Sequence, residues 1–124
     1  MLFRSGDSGS NYSRHELWGQ ASSVLSNSAT SATSWQMSTS GGSINSLYAD
    51  GYIVDFLDAF STSKNKTMRC LTGVANSSGG GISLVSGAWY STAAVTSIAL
   101  LAYSQGSAST FGAGSRFSIY GVKG

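Results

Sequence analysis

Turn residues interrupt this chain about every 8 to 12 positions, which leaves room for short strands and little else. The sharpest interruption is Asn76-Ser-Ser-Gly-Gly-Gly81, where three successive glycines cannot hold a helix. Proline, roughly 5% of an ordinary chain, is absent, so the turns must come from Gly, Ser and Asn. Between turns the pattern alternates. Val95, Ala99, Leu101 and Tyr103 fall on one face of an extended segment, and Thr96, Ile98 and Leu100 on the other. Apolar residues on both faces predict a strand in the middle of two layers. Lys66–Val74 and residues 82–90 read as two further strands. Residues 52–60 fit either period: Ile53, Phe56, Leu57 and Phe60 suit a helix face, and Tyr52, Val54, Phe56 and Phe60 a strand. Gly51 and the aromatic content favour the strand.

Leu2–Arg4 and residues 14–19 read as strands around the turn Asp7-Ser-Gly-Ser-Asn11. Residues 21–34, rich in Ser, Ala and Thr with only Val24 and Leu25 as anchors, read as a surface loop or flap. A short strand at 35–37 follows. Near the C-terminus, Gly-Ala-Gly-Ser115 supplies a turn into a final strand with Phe117, Ile119 and Val122 as core positions, expected to close the sheet. About eight short strands with regular turns predict one all-β domain over residues 1–124, an antiparallel β-sandwich of jelly-roll-like type.

Composition narrows the function. At 124 residues there is room for one domain. The charged fraction is 10%, against roughly 25% in ordinary soluble domains. Serine, about a fifth of the chain, takes the place of the missing charge. Hydroxyls lose less rotamer entropy than Lys or Glu when covered, which suits a protein lying against other proteins. Net charge is +2, and only Lys64, Lys66 and Arg69 cluster. That is too weak a basic field for nucleic acid and reads as a solvated strand end. Residues 93–103 are apolar but about half the length of a membrane span, so no membrane insertion is expected. The single Cys70 excludes an internal disulfide or a cysteine metal cluster, and is expected to pack as a small buried hydrophobe.

Reactive chemistry is hard to assemble. Any Ser-His-Asp arrangement must use His15, which sits between Arg14 and Glu16 where an outward polar residue is expected. The five acids are Asp7, Glu16, Asp50, Asp55 and Asp58. On a strand Asp55 and Asp58 point to opposite faces, which disfavours a glycosidase pair. Asp7 with Ser8, Ser10 and Asn11, or Asp50 with Asp55, offers too few carboxylates for calcium. No enzyme activity, metal or cofactor is expected. Exposed aromatics are the remaining candidates for a ligand, and Trp35, Tyr48 and Tyr52, beside the Ser/Gly loops, are the expected binding residues.

Several segments, in order, resemble one bacteriophage virion domain. Leu2-Phe-Arg-Ser-Gly-Asp-Ser-Gly-Ser-Asn-Tyr-Ser13 is similar to its "L-x-F-R-x-x-x-D-x-G-S-N-Y" strand and turn. The stretch from Ile53 to Thr67 resembles an "I-x-D-Y" strand leading to "K-x-K-T". Gly87-Ala-Trp-Tyr-Ser-Thr-Ala-Ala-Val-Thr-Ser-Ile98 resembles "G-x-W-x-x-T-x-A-I-T-S-I", and Gly114-Ser-Arg-Phe-Ser-Ile-Tyr-Gly121 the closing "GS-x-F-x-L-Y-G". The resemblance implies a non-enzymatic structural protein on the virion exterior, first a tail-fibre or receptor-binding domain, alternatively a capsid decoration protein. It implies self-association as a homotrimer, other virion proteins as partners, and host-surface glycan as a ligand. The family's domain has further strands before the first of these segments. The chain is therefore expected to be the distal part of a longer domain, or to have its sheet completed by a neighbour pairing with Leu2–Arg4.

Overall fold

The computed structural model describes residues 2–4, 6–37, 50–75, 79–104 and 107–122. Ten strands follow one another, with no helix among the described residues. They are β1 (Leu2–Arg4), β2 (Tyr12–Gln20), β3 (Ser23–Ala32), β4 (Trp35–Gln36), β5 (Gly51–Leu57), β6 (Lys66–Val74), β7 (Gly81–Trp89), β8 (Ala99–Leu101), β9 (Tyr103–Ser104) and β10 (Ser107–Ala108). The main sheet has five strands in the order β3-β2-β7-β6-β5, antiparallel throughout. A small three-stranded sheet, β4-β1-β8, forms the second layer, and β9 and β10 make a separate pair. The predicted all-β antiparallel class is what the chain adopts, with unequal layers.

Alternation decides which face of the main sheet is buried. On β6, Lys66, Met68, Cys70 and Thr72 are buried while Thr67, Arg69 and Leu71 are exposed; on β7, Ser83, Val85 and Trp89 are buried while Ile82 and Leu84 are exposed. Register carries the inner face across the strands, as in the row Glu16, Val85, Cys70, Val54. Trp35, Met37, Val95 and Leu100 roof this face, and with Tyr12, Met68, Cys70, Val85 and Trp89 they form the core. Trp35 lies over Gly87, where an added Cβ would overlap both the indole and the Ser13 carbonyl. Its ring meets Phe56 edge-on, centroids 6.4 Å apart.

Two polar clamps tie the ends of the sheet. Trp89 Nε1 donates to Asp7 Oδ2 at 2.8 Å, and the Asn11 amide donates to the same oxygen at 2.8 Å. The Tyr12 ring stacks on Trp89 with centroids 6.3 Å apart. At β6 the buried Lys66 Nζ donates to the carbonyls of Ser61 (2.7 Å), Lys64 (2.6 Å) and Ser91 (3.4 Å). Three donors meet three acceptors, so the ammonium is buried without a carboxylate partner.

Five expectations need correction. Residues 23–32 form the ten-residue edge strand β3 rather than a loop. Ala21, at φ 51°, makes a two-residue turn from β2, and an edge strand can be stabilised by backbone pairing while hydroxyl side chains face water. The strand expected at 95–103 is reduced to β8 and the start of β9, with Val95 and Leu100 packed on the core. Phe117, Ile119 and Val122 are exposed and lie in no strand, because the roof over the inner face is already filled; Phe117 instead meets Phe111, centroids 4.9 Å apart. Finally, β1 lies between β4 and β8, so the edge expected to await a neighbouring chain is already paired on both sides. Lys66, expected to be solvated, is buried as described.

Gly87→Ala is expected to lower unfolding free energy by about 1–3 kcal/mol, because a methyl there must displace the Trp35 roof. Urea denaturation of the two proteins checks this; equal midpoints would mean that the indole does not rest on this glycine.

Candidate functional site

The five acids each have a partner within the fold. Asp7 accepts from Trp89, Asn11 and the Gly9 amide, the last at 2.7 Å. Glu16, fully buried on the inner face, has the Arg14 guanidinium 3.5 Å away. Asp50 accepts from the Tyr52 hydroxyl at 3.0 Å. Asp55 pairs with Arg69 at 3.0 Å and Asp58 with Lys64 at 3.4 Å. Each of the five acids therefore has a named partner. His15 is exposed on the outer face of β2, opposite Ser28 and Ser86. Among the described residues, no group of His, Cys, Asp and Glu could hold a metal ion.

The expected ligand-binding aromatics do not form a platform. Trp35 is fully buried in the core, since the tight space above Gly87 admits the flat indole and seals it from solvent. Tyr52 is half-buried on the inner face of β5, its hydroxyl held by Asp50. Burial first, then the Asp50 charge and hydrogen bond, pushes the Tyr52 phenol above its ordinary pKa, so it stays protonated. Tyr48 lies outside the described residues.

What the sheet does present is a bare aliphatic surface on its outer face. Leu17 on β2 lies opposite Leu84 on β7, Leu84 opposite Leu71 on β6, and Leu71 opposite Ile53 on β5. These four are 51%, 57%, 45% and 68% exposed. They form an unbroken ladder across four neighbouring strands, about 14 Å wide at the usual strand spacing. The next row adds Val24 and Ile82, both exposed. Antiparallel sheets with one solvated face ordinarily place polar residues there. Contiguous exposed apolar surface on that scale marks a place where another molecule binds. The only charged pair on this face, Arg69 with Asp55, neutralises itself. The signal was present in sequence: β6 and β7 carry apolar residues at both parities, Met68 and Cys70 against Leu71, and Val85 against Ile82 and Leu84.

Cys70 is buried beneath the roof, and burial pushes its thiol from the ordinary 9.0 up to about 12. Its protonated form is thus favoured in the folded chain. That contribution is complete below pH 9 and is lost as pH rises toward 12. The stability difference between wild type and Cys70→Ala should therefore narrow as pH rises above 9. Paired urea titrations at neutral and alkaline pH measure it; a constant difference would show a normally titrating thiol.

Comparison with protein-family models, curated proteins and solved structures finds no match to this chain.

Proposed function

We propose that this protein is a non-enzymatic structural component on the exterior of a tailed bacteriophage particle, jelly-roll-like in winding, that works by holding protein surfaces together. The observation that carries this reading is the exposed ladder Leu17, Leu84, Leu71 and Ile53, an apolar surface continuous across four strands. The low charge and high hydroxyl content favour the same role, since such side chains lose little entropy when a partner covers them. The resemblance to phage virion segments supports the particle and the place, first a tail-fibre or receptor-binding domain, and with them the partners: further copies in a homotrimer, other virion proteins, and host-surface glycan at the receptor.

A second reading, a capsid decoration protein, is favoured by a separate observation. Trp35 is sealed in the core and Tyr52 is turned inward, so neither offers a flat ring for sugar stacking. Aliphatic side chains on a flat sheet suit a protein lattice better than a glycan. A protein that binds an assembled head but not its unfolded subunits stabilises it by mass action.

Antibody labelling of intact particles, read by electron microscopy, tests both readings. Label at the tail tip supports the receptor-binding domain, and label over the head supports decoration. Particles that contain the protein yet take no label anywhere would contradict an exterior role.

A further inference from the structure

The outer face carries a second row beside the ladder, and its composition is unusual for strands. Val24 on β3 lies opposite Gly19 on β2, Gly19 opposite Ile82 on β7, Ile82 opposite Gly73 on β6, and Gly73 opposite Gly51 on β5. Three of these five positions are glycine. Glycine weakens a strand, and inside one it often marks a bulge, a bend, or the close approach of something else. The fold itself does not call for these three. None has a positive φ. A Cβ at Gly51 would meet nothing within 4 Å, and one at Gly73 only the Gly81 carbonyl at 3.6 Å. At Gly19 the nearest atom would be the Ile82 side chain, at 3.7 Å. The pairings around them are continuous, without a bulge. The room above these glycines is open, and none of the described residues occupies it.

The two rows match each other. Two residues along each strand, every ladder side chain has its counterpart in the glycine row: Leu17 with Gly19, Leu84 with Ile82, Leu71 with Gly73, Ile53 with Gly51. We infer that the outer face is the seat of a second copy of this chain, related by a two-fold axis that runs across the strands between the two rows. Such an axis lays Leu17, Leu71 and Ile53 of each copy over Gly19, Gly73 and Gly51 of the other. The pair closes at its middle with Leu84 against Ile82. The same surface serves both partners, which is the requirement for an isologous contact. Bulky residues over glycine let two facing sheets approach to the usual spacing of about 10 Å.

Area and charge agree with this occupant. Five strands of seven to ten residues side by side give a face of about 30 by 24 Å, or roughly 700 Å². That is close to the roughly 800 Å² per partner of a stable interface. Because Arg69 and Asp55 pair within one copy, two such faces meet without net repulsion. The inference adds a two-fold contact on this face to the three-fold association of the proposed function, so that trimers would pair into hexamers, and it does not depend on which particle the protein belongs to.

Sedimentation velocity of the purified chain, from micromolar to sub-millimolar concentration, tests it, together with Gly51→Val, Gly73→Val and Leu84→Lys. The wild type should form an even-numbered species, a dimer first. Either valine should leave the melting temperature unchanged or higher, since it improves strand propensity in free space. It should nonetheless weaken pairing about tenfold or more by filling the holes, and Leu84→Lys should abolish pairing. A wild type that is monomeric throughout, or that forms only trimers, would overturn the inference. So would valine variants that pair as the wild type does, or that melt lower and thereby show the glycines to be needed by the fold. The readout uses the isolated chain, so failure here leaves the virion reading to the labelling experiment.

Discussion

The contact of the Trp35 indole with the bare backbone of Gly87 determines how the two layers meet. Gly87 is the one position on the inner face of β7 where a Cβ would strike both a side chain and a carbonyl from neighbouring segments. Its missing side chain lets the largest residue of the core lie flat on the sheet, and Phe56 holds the ring from the side. Because Trp35 belongs to β4, this contact also brings down the small sheet β4-β1-β8 as a roof. Close packing of that kind tolerates little change in volume. One consequence is asymmetry: the inner face is closed by a layer from the same chain, and the outer face has none among the described residues.

The polar groups follow from the same arrangement. A roof of only three short strands leaves the ends of the five-stranded sheet to be secured by other means. Asp7 and Trp89 secure one place, and Lys66 with its three carbonyls another. Burying a charge is costly unless every donor or acceptor is met, and the three protons of Lys66 each have an oxygen. The acids that might have served catalysis are thus engaged in holding turns and strands. The outer face of the main sheet, by contrast, carries exposed aliphatic side chains in register across four strands.

Much of this was legible in the chain. The alternation of β6 and β7, the glycine run at residues 79–81 and the shortage of helix signal marked an antiparallel all-β protein, and Cys70 read correctly as a buried hydrophobe. Other features were not legible, for physical reasons. Half of the strand β3 is Ser or Thr because an edge needs only backbone pairing and solvent, so its sequence looks like a loop. The terminal Phe117 and Ile119 alternate like core residues, yet the roof is filled by Trp35, Met37, Val95 and Leu100, which come from distant parts of the chain. Local periodicity does not say which segment reaches the core first. Likewise, Trp35 beside serine-rich stretches looked like a binding platform because nothing local reveals Gly87, which lies fifty-two positions further on. The two-sided apolar pattern of β6 and β7 was in the sequence, but the continuous ladder is a property of register between four strands and appears only once they are paired.

The central claim is that one face of the main sheet is closed by its own chain and the other by a partner. Carbene footprinting of the purified chain, dilute and concentrated, with the modified residues located by mass spectrometry, tests it most directly. The account predicts that Trp35 and Met68 stay unlabelled under both conditions. Leu17, Leu71, Leu84 and Ile53 should be labelled when dilute and protected when concentrated, while the exposed Phe60 is labelled in both. Equal labelling of the four ladder residues at every concentration, or labelling of Trp35 in the folded chain, would contradict it.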